Sequence, residues 1–165
     1  MTAEAAMESL LPIAPGMLRD GENVLIIGAP ATLDDIEVGP ISIAPKPVNE
    51  VLSGAKMEVT VTDAATGKAT PCRLTLTRMD GTRQPLRAEP AHDVAVRVGV
   101  VYSRDGRAQL SLPAGEYILY AGRGFEWSVE RLAIHLGSGD TKPVALKLRR
   151  EVPTEGWIAA VSCCP

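Results

Sequence analysis

The chain has 165 residues, is 45% hydrophobic and carries a formal net charge of -3, which suits one ordinary domain with an extension and needs no metal or disulfide scaffold to fold. Only two Trp, three Tyr and one Phe are present, so a stacking platform for nucleic acid is not expected, and the acidic balance speaks against a phosphate-backbone binder. Fifteen Gly and 13 Pro suit short strands joined by turns rather than a helical bundle.

Residues 1–50 read as an acidic N-terminal arm, with eight acids against Arg19 and Lys46, a net of -6; residues 51–165 carry the opposite balance, +3. This shift, with Pro40, Pro45 and Pro47, places a boundary near residue 50. Within the arm, Thr2–Leu11 reads as a short helix capped by Thr2. Val24-Leu25-Ile26-Ile27, apolar throughout and closed by Gly28, reads as a buried strand. Ile36–Ile43 is broken by Gly39 and Pro40 and reads as an edge strand or an extended arm. No apolar run reaches 18 residues, so no membrane span is expected. Acids at Glu4 and Glu8 stand where a signal peptide carries positive charge. The chain is therefore cytoplasmic or lacks its leader, and a secreted or periplasmic place is favoured.

From residue 56 the side chains alternate with a period of two. Met57–Thr62 alternates apolar with polar, and Asp63–Lys68 supplies a turn. Arg73–Arg78 alternates again and closes at Asp80-Gly81. Val94, Val96, Val98 and Val100 read as one face of one strand. Arg104-Asp105-Gly106-Arg107 reads as a hairpin turn before Leu110 and Leu112. Tyr117–Ala121 is apolar on both faces, as a strand flanked on both sides requires. The series Trp127, Val129, Leu132, Ile134, Leu136 falls out of step near Glu130-Arg131, which predicts a bulge or bend. Val144, Leu146 and Leu148 point inward. Seven or eight strands about ten residues apart predict an all-β, antiparallel two-sheet sandwich, and no crossover helix is written after residue 56.

Several of these segments resemble the carboxypeptidase-regulatory-like, or transthyretin-like, β-sandwich: Val59–Lys68, Pro71–Leu74 and Leu112-Pro113-Ala114-Gly115-Glu116-Tyr117. The resemblance implies a transthyretin/prealbumin-like Greek key in which Tyr117 packs on the core. Ala121–Ser128 followed by Leu148-Arg149-Arg150 and Gly156–Ala160 is similar to the accessory sandwich that precedes the catalytic domain of polymerase-and-histidinol-phosphatase superfamily metallohydrolases of the carbaryl-hydrolase kind. In that family an Ala-Asp-x-His-x-His strand follows. Here Val161, Cys163 and Pro165 stand at the Asp and His positions, and Val and Pro carry no metal donor. The resemblance therefore implies an accessory domain that stops where the catalytic domain would begin, with a C-terminal or separate metallohydrolase domain as its partner.

The remaining chemistry-bearing residues read plainly. His135, between Ile134 and Leu136, reads as a solvent-facing strand residue, and His92 as a loop residue. Cys72 reads as a small core hydrophobe, and adjacent Cys163 and Cys164 are spaced for neither a disulfide nor zinc. No Gly-x-Ser-x-Gly elbow is present and no triad can be placed. The Tyr-Arg-Gly-Ser ending of hydroxyisourate hydrolases is missing. Gly122-Arg123-Gly124 completes no phosphate-loop pattern and reads as a sheet corner; Arg123 and Glu126 either pair there or face a partner. No catalytic residue, cofactor or metal is expected. The candidate docking surface is Arg123, Phe125, Glu126, Trp127 and Trp157, since aromatic residues are enriched in interface cores. The expected function is a non-catalytic accessory or interaction domain; the alternative is a carbohydrate or other ligand-binding module. Lys147, Arg149 and Arg150 read as charged protection of a sheet edge, and a homodimer through another edge stays open.

Overall fold

The computed structural model describes residues 7–28, 37–90, 93–154 and 156. One helical turn, α1 (Val48–Val51), precedes nine strands among the described residues. These are β1 (Ala55–Asp63), β2 (Cys72–Arg78), β3 (Arg87–Ala88), β4 (Val94–Arg97), β5 (Val100–Ser103), β6 (Arg107–Leu112), β7 (Gly115–Gly122), β8 (Glu130–Leu136) and β9 (Thr141–Leu148). They form two sheets, ordered β3-β6-β1-β9 and β4-β5-β2-β7-β8. The fold is an all-β sandwich. Its strand pairings are antiparallel except for β1 with β9, which runs parallel from Lys56 opposite Thr141 to Asp63 opposite Leu148. The chain thus returns from β8 across to the other sheet and closes against its own first strand.

The period-two signal becomes the core. Met57, Val59 and Val61 of β1 and Val144, Leu146 and Leu148 of β9 face Leu74, Leu76, Tyr117, Leu119, Ala121, Ile134 and Leu136 from the other sheet. Burying each such large side chain contributes about 1.5–3 kcal/mol. Cys72 sits in this cluster, and burial pushes its thiol up to about 11 from an ordinary value of 9.0. It packs as a hydrophobe, as expected. On β7, Ile118 is buried on the opposite face from Tyr117 and Leu119, and the strand lies between β2 and β8. The Tyr117 hydroxyl donates to the Pro113 carbonyl at 2.8 Å. That bond satisfies the polar end of a buried ring and fixes the bend between β6 and β7, which lie in different sheets.

Two turns differ from their sequence reading. Arg104–Arg107 is a corner between sheets rather than a hairpin, because β5 and β6 belong to different layers. At this corner Gly106 has φ +74, and a Cβ there would lie 2.6 Å from the Thr70 carbonyl oxygen. Only glycine lets the corner lie so close to the end of β1 and the connection that follows it. The hairpin lies instead at Val98-Gly99, inside the stretch that reads as one strand. Gly99 takes φ +66 and lies against Arg83, so the chain reverses and Val94 and Val96 part from Val100. Val96 stands opposite core Val101 but is 43% exposed.

The arm departs furthest from its pattern. Val24–Ile27 forms no strand, and its side chains are 49–86% exposed. A run apolar on both faces names no face and no register, and none of the described strands pairs with it. Of the expected Thr2–Leu11 helix, Thr2 to Ala6 lie outside the described residues and Met7–Leu11 is not helical; Met7 instead bridges Arg83, and Glu8 forms an ion pair with Arg78. Tertiary pairing overrides the weak local preference. Residues 37–43 are exposed and form no strand, which fits the extended-arm reading.

Candidate functional site

Four of the five expected docking residues come together at one corner, beyond the end of β7. Gly124–Glu126 turns the chain, with the Trp127 N–H donating to the Gly124 carbonyl at 3.2 Å. Trp127 then bridges Arg150. The Ser128 N–H donates to the Arg149 carbonyl at 2.8 Å, and the Arg149 N–H donates to Ser128 Oγ at 2.9 Å. The segment leading into β8 is therefore stitched to the segment leaving β9, joining the sheets along that side. This explains the expected break before Glu130: residues 127–128 pair with the other layer, and the strand turns to β7 only afterwards.

Arg123 and Glu126 find other partners instead of pairing with each other. The Arg123 guanidinium lies 4.8 Å from the centre of the Trp127 ring and donates to Thr70 Oγ1. Glu126 accepts from Arg150 Nη2 at 2.9 Å, and its carbonyl accepts from the N–H groups of Glu151 and Val152 at 2.8 and 3.2 Å. Hydrogen bonding from Thr154 first, and then from Arg150, holds the Glu126 carboxyl below its ordinary range. Trp127 is half-buried beneath Arg123, whereas Phe125 is 73% exposed. Trp157 lies outside the described residues, as do His92, Cys163 and Cys164. His135 is exposed on its strand, as expected.

Beside this corner is an open depression of about 570 Å³ lined in part by Arg73, Asp93, Tyr102, Arg104 and Arg123. Arg73 lies 5.9 Å from the Tyr102 ring centre, and Arg104 pairs with Asp93 at 3.3 Å. A smaller hollow of about 270 Å³ borders Arg123, Phe125, Trp127 and Arg150. Arg123 belongs to both. The arrangement suits recognition, offering guanidinium donors placed over rings and an exposed aromatic at Phe125. Nucleophilic chemistry gains no support from Cys72, whose raised pKa keeps it protonated. Ser103 Oγ accepts the Arg107 N–H at 2.9 Å and donates to the Arg107 carbonyl at 2.7 Å, so it closes a turn. Among the described residues no three His, Cys, Asp or Glu side chains converge as a metal cage. The sequence pattern does not single out Arg73 and Tyr102; they meet because β2 pairs with β5, a pairing that alternation alone leaves open.

No protein-family model matches the chain, and no curated protein does. Among solved structures it is similar to the Bacillus anthracis TIE protein, at 17% identity and a TM-score of 0.42 over 58% of this chain and 17% of that one. It is similar to GBS52, the minor pilin of Streptococcus agalactiae, at 18% identity and a TM-score of 0.46 over 68% of this chain and 50% of that one. The pilus-presented adhesin Spy0125 (Cpa) is a third, at 16% identity and a TM-score of 0.34 over 62% of this chain and 28% of that one. The chain thus spans half or less of each of these proteins. Its sandwich rests on its own strand pairing.

Proposed function

We propose that this chain is a non-catalytic accessory β-sandwich that orients a partner domain through the Arg123–Trp127 corner. One observation carries the reading: residues 149–152 are held against that corner by backbone hydrogen bonds and the Glu126–Arg150 pair. A domain attached beyond that segment, or bound separately, would meet the sandwich in a fixed direction. Phe125 supplies an uncovered apolar anchor, and Arg73 and Arg123 supply donors for acidic groups, the residue types that dominate binding energy at interfaces. The resemblance of Ala121–Ser128 and Leu148–Arg150 to the metallohydrolase accessory sandwich supports a metal-dependent hydrolase domain as that partner. Val161 and Pro165 offer no metal donor, so the metal chemistry in this reading belongs wholly to the partner.

Calorimetric titration of a separately prepared hydrolase domain of that superfamily into this chain tests the proposal. Binding is expected, and Phe125→Ala with Arg123→Ala is expected to weaken it about tenfold or more. Absence of binding at high micromolar concentration would remove the docking role.

A further inference from the structure

We propose that two copies of this chain exchange their Val24–Ile27 segments, each adding a strand to the free edge of β4 in the other. A sheet edge is a row of unpaired N–H and C=O groups, and proteins blunt such edges with short strands, proline, charge or a covering segment. Three of the four terminal strands here are blunted. β3 has two residues. On β9, the bonds from Lys56 N–H to the Asp140 carbonyl and from Ala64 N–H to the Leu148 carbonyl turn the even-numbered residues toward β1. Pro143, which has no N–H, therefore falls on the outer side, between Lys142 and Lys147. On β8, Lys142 Nζ caps the His135 carbonyl at 3.1 Å, and the preceding residues are paired with 149–150.

β4 is short and ends at Arg97, but it carries no proline and, among the described residues, no strand pairs along its outer side. The Arg104 N–H donates to the Asp93 carbonyl, which sets the alternation along the hairpin: Asp93, Ala95 and Arg97 bond across to β5, while Val94 and Val96 turn their N–H and C=O groups outward. The side chain of Val96 faces the core margin and is 43% exposed. Among the described residues no strand pairs with this edge, and the core margin at Val96 is open at the same place.

Val24–Ile27 has the complementary lack. Its four side chains are 49–86% exposed, and as a strand it presents two apolar residues to either face. Charge favours the match: Asp20 and Glu22 precede it in an arm of net -6, whereas Arg97 closes β4 and the rest of the chain carries +3. The donor is a second copy, because the described part of the arm leaves its own edge uncovered although it is anchored to its own sandwich through Glu8 and Arg78. Strand addition supplies main-chain bonds for affinity and side-chain pockets for register.

The mass of the full chain, kept reduced and measured by sedimentation from low to high micromolar concentration, tests this. A dimer is expected. Val24→Asp with Ile26→Asp is expected to raise its dissociation constant by about a hundredfold or more. Val96→Pro is expected to do the same with the far-ultraviolet strand signature retained, since proline is tolerated where an edge N–H faces outward. Should that variant misfold, the arm variant decides, because its side chains are exposed in the single copy. Phe125→Ala is expected to leave the dimer intact, so this proposal and the docking role fail separately. A monomer at every concentration, or a dimer indifferent to the arm variant, overturns the exchange.

Discussion

Residues 55–63 and 24–27 both carry large apolar side chains and meet opposite fates. In β1, Met57, Val59 and Val61 are at most 2% exposed, with Glu58 between them in solvent; Ile26 in the arm is 86% exposed. The difference lies in the intervening positions. Polar residues between apolar ones name a face, and a named face fixes which way a strand must lie on its neighbour. A run of four apolar residues states only that burial is wanted. It leaves partner, register and even copy undetermined.

Mutation breaks or upholds this comparison most directly. Leu119→Ala, in a side chain with no exposure, is expected to cost about 2–5 kcal/mol in chemical unfolding of the single copy. Ile26→Ala is expected to stay within about 0.5 kcal/mol, as exposed substitutions do. A cost of several kcal/mol at Ile26 measured on the monomer would show that the arm packs on its own sandwich after all.

Much of the sandwich was legible from residue 56 onward for the same reason. Alternation placed Met57, Val59, Val61, Leu74, Leu76 and Val144–Leu148 on the correct face, and the turn residues at Asp63–Lys68 and Asp80-Gly81 marked real reversals, with the Asp63 carboxylate accepting the Ala65 N–H and that of Asp80 accepting the Thr82 N–H. Layer membership was not legible. Asp105-Gly106 looks like any hairpin turn, because the sequence does not show that Gly106 must clear the backbone of Val61 and Thr70. Val98-Gly99 looks like part of a strand, because a valine at the first turn position gives no turn signal. The corner was legible as a bend but not as a wiring pattern: Glu126 bonds Arg150, 24 residues away, and only the 127–128 and 149–150 pairing brings them together.

A smaller effect is expected at the turn before β6. Gly106→Ala adds one methyl group where φ is +74 and the nearest backbone oxygen would be 2.6 Å away. A loss of about 1–3 kcal/mol is expected from the backbone strain. Gly67→Ala, also at positive φ but with open space around it, is expected to cost less. Equal losses would mean that the backbone of Val61 and Thr70 does not close on Gly106.

The smallest effect concerns the corner, which is held by charge where the core is held by packing. The folded pKa of Glu126 is depressed, chiefly by the Thr154 hydrogen bond and then by Arg150. Its contribution is therefore complete above the ordinary carboxylate value of 4.5 and is lost as pH falls through that value toward the lower folded one. Urea midpoints of the wild type and Glu126→Gln are expected to differ modestly at neutral pH and to converge under acid, whereas Leu119→Ala keeps its full deficit at both. Because the pair lies at the surface, with Arg150 exposed and Glu126 partly so, added salt is expected to shrink the neutral-pH difference as well. A gap between wild type and Glu126→Gln that ignores both pH and salt would mean that the corner is fixed by its backbone ladder alone, with the ion pair contributing nothing to its stability.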